Sequence, residues 1–402
     1  MTSSQLLVRP LAPSEVLHFR FGLYVGYATQ VRGKLDSAAL TQAFAILRQA
    51  YPILSSRLVL DHASQPSIEA APELSAAVDE VSGPVDNPLF GLPDLDDRAA
   101  AIHTVRGTDD AATVTLLTHH SIADGHHSLY LLAELWHLYT ACVTDAPTAA
   151  RRHDYPHSLE HLLDQRGIGI GPTALPDDAM LEALASADIP SGPTERVRTR
   201  LSVADTQSLL ATGRSAGTTI NGLVSAALLA ATAQSRNVGI DTLHYTYPVD
   251  MRARLTPQVG YPEGTNVLGM AYFAADPHAD DDLLALARAV TSTLRDGIAT
   301  GAVFAGNAQF VSAAQGNSAG PEGFLSTMLV STNWGVIPAL PTPADLIIED
   351  FYPVMPNNPM TSIAPYVITT YDGQLTIDTA ASSFDTSQLL AEHLHGLARR
   401  SG

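Results

Sequence analysis

The chain has 402 residues, 46% of them hydrophobic and 16% charged, with a formal net charge of −19. That length allows two domains or subdomains with buried cores, and the acidic balance makes nucleic acid and anionic membrane surfaces poor partners. Cys142 is the sole cysteine, so no intrachain disulfide can form and a reducing cytoplasm is expected; the first residues carry no signal peptide pattern, and no apolar run reaches the ~18 residues of a membrane span.

Taken in chain order, residues 22–31 alternate as a strand. Gly33 marks a turn, and a helix follows from about Ser37, with Leu40, Phe44, Leu47 and Tyr51 as its apolar stripe. Gly107-Thr108-Asp109-Asp110 reads as a turn before the β-rich run Val114–Thr118, which predicts a hairpin. That run leads into His119-His120-Ser121-Ile122-Ala123-Asp124-Gly125-His126-His127, which holds four of the 15 histidines and one carboxylate. Histidine titrates closest to neutral pH and is the usual general base in water. Neighbouring side chains on a strand point to opposite faces, so a strand reaching that far lets only one of His119 and His120 face a given cavity. Leu129, Leu132, Trp136, Tyr139 and Val143 recur at helical spacing, giving strand, histidine-bearing loop, helix.

Two other readings of the cluster stand beside a general base. His119, His120, Asp124, His126 and His127 are all potential metal ligands, but the helical His-x-x-x-His and cysteine spacings of common zinc sites are absent. A surface histidine cluster without chemistry is the second.

Residues 144–200 are rich in Pro, Gly, Asp and Arg and read as a crossover linker with short helices such as Ser158–Leu163. Arg196, Arg198 and Arg200, or Arg151 and Arg152, are candidates for docking an acidic carrier protein; a solvated linker charge cluster is the plainer reading. A helix is predicted over Thr219–Leu229 and a strand over Leu243–Arg254. A glycine-bearing loop with Asn266 follows over 260–269, then a helix over 282–298. Strands are predicted at 327–332, 346–352, 364–371 and 374–379, and a final helix at about 385–400. Gly316-Asn317-Ser318-Ala319-Gly320 fits a serine-hydrolase elbow, with Asp345, Asp350, His393 and His395 following in the right order. An elbow needs a buried strand before it and a helix after it. Ala313-Ala314-Gln315 and Pro321-Glu322-Gly323 supply neither, so an esterase using Ser318 is a subordinate reading.

The order His-His-x-x-x-Asp-Gly at 119–125 resembles the active-site signature of the chloramphenicol acetyltransferase superfamily. That superfamily includes peptide-synthetase condensation domains, plant acyl-CoA-dependent acyltransferases and the polyketide-associated (Pap) acyltransferases. Val31-Arg32-Gly33-Lys34-Leu35-Asp36 through Tyr51-Pro52-Ile53-Leu54 resembles its opening pattern. The Pap branch is the best match. His126-His127 resembles the extra pair after the glycine in the phthiocerol/phthiodiolone dimycocerosyl transferases, and Tyr247-Pro248-Val249-Asp250-Met251-Arg252 resembles their arginine motif. Thr265-Asn266-Val267-Leu268-Gly269 is similar to their Asn-Leu-x-Gly turn, and Leu162–Ile168 to their linker. The plant branch's Asp-Phe-Gly-Trp-Gly is not matched; Ser331-Thr332-Asn333-Trp334-Gly335 stands in its place.

The resemblance implies an α/β fold of two chloramphenicol acetyltransferase-like subdomains with mixed sheets. They span 1–145 and 201–402, joined by a crossover linker at 146–200, with a channel between them. It implies His120 as general base, supported by His119, Asp124 and Gly125. Asp124 would pair with Arg252, or with Arg254 as the substitute, because an ionised carboxylate in a buried loop needs a partner and guanidinium is two-pronged. Asn266, Asn333 and Trp334 would line the second half of the channel. The implied reaction is acyl transfer from acyl-CoA or an acyl carrier protein to a polyketide or lipid hydroxyl, with no metal and no tightly bound cofactor. The oxyanion would be met by a backbone N–H near Gly125 or by a hydroxyl. A cytoplasmic monomer is expected. A condensation-like binding module without turnover is the alternative, against which the intact His120, Asp124 and Gly125 weigh.

Overall fold

The computed structural model describes residues 7–148, 151–169, 196–276, 282–305, 327–356, 365–380 and 384–401. The described residues divide between two compact units. One lies within Met1–Gly169, Met251–Val267 and Pro338–Asn358; the other lies within Ile170–Asp250, Leu268–Ile337 and Pro359–Gly402. Gly316–Gly320, with Ser318, lies outside the described residues.

The chain opens with β1 (Leu7–Pro10), α1 (Pro13–Arg20), β2 (Tyr24–Gly33) and α2 (Ser37–Ala50). Next come β3 (Ser56–Leu60), β4 (Pro66–Ala70), β5 (Val78–Ser82), β6 (Ala100–Arg106), β7 (Ala111–His119), α3 (Gly125–Val143) and α4 (Leu159–Asp164). It continues with β8 (Arg196–Arg200), α5 (Val203–Ser215), α6 (Ile220–Arg236), β9 (His244–Asp250), β10 (Leu268–Phe273), α7 (Leu283–Thr300) and β11 (Met328–Val336). The last elements are β12 (Leu346–Val354), β13 (Tyr366–Tyr371), β14 (Gln374–Ala380) and α8 (Phe384–Ala398).

The first unit is built on a mixed sheet of order β12-β2-β7-β6-β5, in which only β5 and β6 run parallel, with a small antiparallel sheet β1-β4-β3 beside it. Every residue of β7 is buried, so this strand is a core element rather than a surface hairpin arm. Asp36 caps α2 by accepting from the N–H groups of Ala38 and Ala39, and Leu40, Phe44 and Leu47 point into the core. Gly33 sits at φ +118°, and a Cβ there would lie 2.1 Å from the Asp345 carbonyl oxygen, so only glycine lets β2 meet the start of β12.

The second unit carries a mixed sheet of order β10-β9-β11-β13-β14-β8, parallel between β9, β11 and β13 and antiparallel elsewhere. Alanine-rich α6 is buried along most of its length.

Three expectations need correction. Assigning all of 201–402 to one subdomain does not describe the packing: Met251–Val267 and Pro338–Asn358 belong to the first unit, because β12 pairs with β2 and Arg252 pairs with Asp124. The strand over Leu243–Arg254 stops at Asp250. The Met251 N–H turns to the Val267 carbonyl, and a short 3₁₀ turn then carries Arg252 inward. The linker over 146–200 does not run to its end as irregular chain. Residues 196–200 form strand β8, whose arginines alternate with Val197 and Thr199 in the period of a strand.

Candidate active site

β7 ends at His119, and the five residues that follow make a tight turn into α3. The His119 side chain, at the last strand position, is buried against the edge of Tyr24, its cross-strand partner, at 4.8 Å and 77°. Its Nδ1 accepts the Ser121 N–H at 3.1 Å. Burial, with the nearby His120, pushes its pKa down to about 3, so it is a neutral packing residue at physiological pH.

His120 leaves the strand, and its side chain is half-buried. Its N–H donates to the Leu23 carbonyl at 2.8 Å, which ties the turn to the residue preceding β2. Asn266 embraces it from another segment. The side-chain N–H₂ of Asn266 donates to the carbonyls of His120 and Ser121 at 2.9 and 3.4 Å. That orientation presents Asn266 Oδ1 to His120 Nδ1 at 3.2 Å. An amide oxygen can only accept, so Nδ1 carries the proton and Nε2 keeps its lone pair. Burial lowers the His120 pKa below the ordinary 6.5, against the opposing pull of its own carbonyl, the Asp124 charge and Asn266. The imidazole is therefore in its basic form at neutral pH.

The Asp124 carboxylate finds its partners away from the His120 ring. Its carboxylate caps α3 by accepting the His127 N–H at 3.0 Å, accepts the Val267 N–H at 2.9 Å, and meets Arg252 Nη1 at 2.8 Å. The partner is Arg252 rather than Arg254. Its Nη2 also donates to the Gly264 carbonyl at 3.3 Å, and its guanidinium lies 5.7 Å from the centre of the Tyr261 ring. Both charged side chains are buried. Burial alone would raise the Asp124 carboxyl, but Arg252 and the His127 N–H outweigh it and hold the pKa below the usual carboxylate range. His127, one helical turn inside, is buried, and burial with the Arg252 charge lowers it to about 4. Gly125, the first residue of α3, is half-buried.

A second layer comes from α1, which sequence reasoning missed. His18 stacks on His120, with ring centres 4.0 Å apart and planes 8° from parallel. Glu15 is fully buried and takes a two-pronged bond from Arg9 at 2.7 Å on each oxygen. It also accepts the Thr265 hydroxyl at 2.6 Å, and its carbonyl accepts the Ser121 hydroxyl at 2.8 Å. Thr265 directly precedes Asn266, so Glu15 holds both the histidine turn and the segment that orients it. No amphipathic stripe marks α1, because its buried positions are polar. The only available signal was one short sequence holding both a histidine and a glutamate.

Asn333 and Trp334 lie on β11 in the second unit: the Asn333 amide donates to Asn221 Oδ1 at 3.2 Å, and Trp334 is buried. Asn266, expected as a second-half channel residue, instead packs in the first unit as the partner of His120. Arg198 forks onto Asp378 at 2.8 and 3.0 Å and Arg196 leans on the same carboxylate at 3.7 Å, so one carboxylate of β14 serves two arginines of β8. Arg151 and Arg152 are exposed. Among the described residues no three His, Cys, Asp or Glu side chains converge as a metal-ligand set. No single helix among them is long and apolar enough to cross a membrane.

Comparison with known proteins agrees with this architecture. The family model described as phthiocerol/phthiodiolone dimycocerosyl transferase C-terminus matches residues 190–380. The chain is 30% identical over 399 residues to the phthiocerol/phthiodiolone dimycocerosyl transferase of Mycobacterium leprae (strain TN), covering 92% of each chain. It is 29% identical over 396 residues to the enzyme of that name from Mycobacterium tuberculosis (strain ATCC 25618 / H37Rv), again covering 92% of each. Among solved structures, polyketide synthase associated protein 5 from Mycobacterium tuberculosis superposes with a TM-score of 0.81 at 27% identity, covering 99% of this chain and 100% of that one. The first condensation domain of the calcium-dependent antibiotic synthetase shares the fold, with a TM-score of 0.65 at 15% identity over 98% of this chain and 97% of that one.

Proposed function

The chain belongs to the phthiocerol/phthiodiolone dimycocerosyl transferase family and is an acyltransferase; from that premise we propose that it moves an acyl group from a thioester to a hydroxyl with His120 as the general base. The observation that carries this reading is the bond from His120 Nδ1 to Asn266 Oδ1, which leaves Nε2 as the free basic atom. Nε2 takes the proton of the acceptor hydroxyl, and the oxygen attacks the thioester carbonyl carbon. The tetrahedral intermediate then collapses with loss of the C–S bond, and the thiolate takes the proton from the imidazolium. The products are an ester and a free thiol, and His120 returns to its starting form. Proton transfer by a placed base is worth roughly 10²–10⁴-fold.

An acyl-enzyme on the neighbouring serine is disfavoured on geometry. Ser121 is fully buried, and its hydroxyl proton is given to the Glu15 carbonyl. Direct attack by the acceptor needs no such nucleophile. The donor in this reading is acyl-CoA or an acyl-phosphopantetheine on a carrier protein. By likeness to the relatives' names, the acceptor is the hydroxyl of a phthiocerol-type polyketide lipid.

Purified protein incubated with acyl-CoA or acyl carrier protein and candidate alcohols should release thiol and form ester in equal amounts. His120→Ala should lower turnover by about 10²–10⁴-fold with the fold retained. Turnover near wild type in that variant removes the base assigned here.

A further inference from the structure

The stacked pair of imidazoles at the turn suits two neutral rings, which prefer offset stacking or edge-to-face contact, and it also suits a ring beside a cation, which is attracted to a ring face. His18 lies nearly parallel to His120, and both rings are half-buried rather than sealed in the core. The helix that carries His18 is fixed to the same turn through Glu15, Ser121 and Thr265.

We propose that His18 is a positioning residue for the base: its ring face holds the plane of His120 and stabilises the imidazolium that forms when Nε2 takes the acceptor's proton. The proposal rests on His120 being the general base. His18 does not compete for that proton, because its burial and the neighbouring imidazoles His120 and His119 hold its own pKa well below 6.5. The other charged or titratable groups around His120 are already matched. His119 is held neutral in its own turn, and Asp124 is paired with Arg252. Glu15 on α1 is paired with Arg9, Asn266 is uncharged, and Tyr24 on β2 rests against His119. Among the described residues, the new positive charge thus arises against the ring face of His18 that lies parallel to it.

The test compares three variants on the full chain. His18→Leu keeps bulk but loses the face, and His18→Gln does so with a polar side chain. His18→Phe keeps the face and cannot titrate. The leucine and glutamine variants should lose about 3–30-fold in kcat with KM within about twofold. The acid limb of kcat/KM should move to lower pH, because imidazolium has lost its support. The phenylalanine variant should restore both kcat and the position of the limb. Wild-type kcat in the leucine or glutamine variant overturns the proposal, as does a phenylalanine variant no better than leucine, or a loss confined to KM. If the leucine variant fails to fold, the glutamine–phenylalanine comparison decides. His120→Ala separates the two ideas: if it is inactive while His18→Leu is unchanged, only the role of His18 falls; if it is active, the base itself is wrong.

Discussion

Replacing Asp124 by Asn tests the ion pair that holds the histidine turn. Asp124 and Arg252 are 0% and 4% exposed at the side chain, so neither charge returns to water when its partner is lost. Breaking a buried pair by removing one member typically costs about 3–5 kcal/mol. Asn caps a helix about as well as Asp, so the His127 N–H keeps its acceptor and little of that loss is capping. The Asn amide offers a single oxygen, however, and with that oxygen on the His127 N–H its N–H₂ must face both the Val267 N–H and the guanidinium, which share the other carboxylate oxygen. A loss of about 3–5 kcal/mol is therefore expected for Asp124→Asn. A similar loss follows for Arg252→Met, which keeps the stem and strands the carboxylate. The double variant should lose less than the sum by at least about 1 kcal/mol. The two tryptophans allow a clean reading, since Trp136 is buried in α3 of the first unit and Trp334 on β11 of the second. In a Trp334→Phe background, Trp136 fluorescence in denaturant reports the first unit. The pair's contribution is fully present above the unfolded carboxylate pKa of about 3.9 and is lost as pH falls toward the lower folded value. Losses that add within about 0.5 kcal/mol at neutral pH would refute the coupling.

Three further predictions concern the histidines and their amide partner. His119 and His127 stay neutral down to about 3 and about 4 in the folded chain, whereas unfolded histidine titrates near 6.5. The unfolded state therefore takes up protons first, and stability should fall as pH drops from about 6.5 toward 4, by about 1.4 kcal/mol per unit for each histidine. His127→Leu should flatten that slope, and an unchanged slope would sink the assignment. For turnover, the acid limb of kcat/KM should lie below pH 6.5, and Asn266→Leu should cut kcat by about 10–10²-fold with little change in KM, because the ring loses its tautomer and aim; a KM effect alone would speak for a substrate-binding role.

Strands β2, β7, β9 and β11–β14 and the long helices α2, α3, α6, α7 and α8 were legible from their patterning. The stripe of α2 and the apolar run of α6 each carry their own signal, whereas β2 is buried on both faces from Tyr24 to Thr29 rather than alternating as its sequence suggests. The histidine turn was legible for the same reason: a buried strand and an amphipathic helix bracket a short polar segment. Two of the elements that escaped, α1 and β8, share one physical feature, which is that polar side chains take their partners inside the fold; β1, β3–β5, β10 and α5 also escaped. α1 buries Glu15 and stacks His18, so no apolar stripe announces it. β8 alternates arginine with Val197 and Thr199, and Arg196 and Arg198 share Asp378, a partner far along the chain. The crossing of Met251–Val267 and Pro338–Asn358 into the first unit is likewise a matter of long-range partners, β2 for β12 and Asp124 for Arg252, which local patterns do not encode.

The site divides its work between charged and neutral groups in a way that the motif alone does not disclose. An aspartate four residues after a histidine invites the role of a charged orienter. Here the charge is placed elsewhere: Asp124 and Glu15 each meet an arginine and fix the backbone of the turn. The group that touches the imidazole is the neutral amide of Asn266. A carboxylate in that position would bind imidazolium more strongly and raise the pKa of the base. An amide sets the tautomer with less of that effect, so the ring stays deprotonated at neutral pH. The base proposed here must both accept and return a proton within one turnover, and a moderate pKa serves that better than a trapped imidazolium. In that proposal fixed charge supplies rigidity, and the neutral contacts of Asn266 and His18 govern the ring.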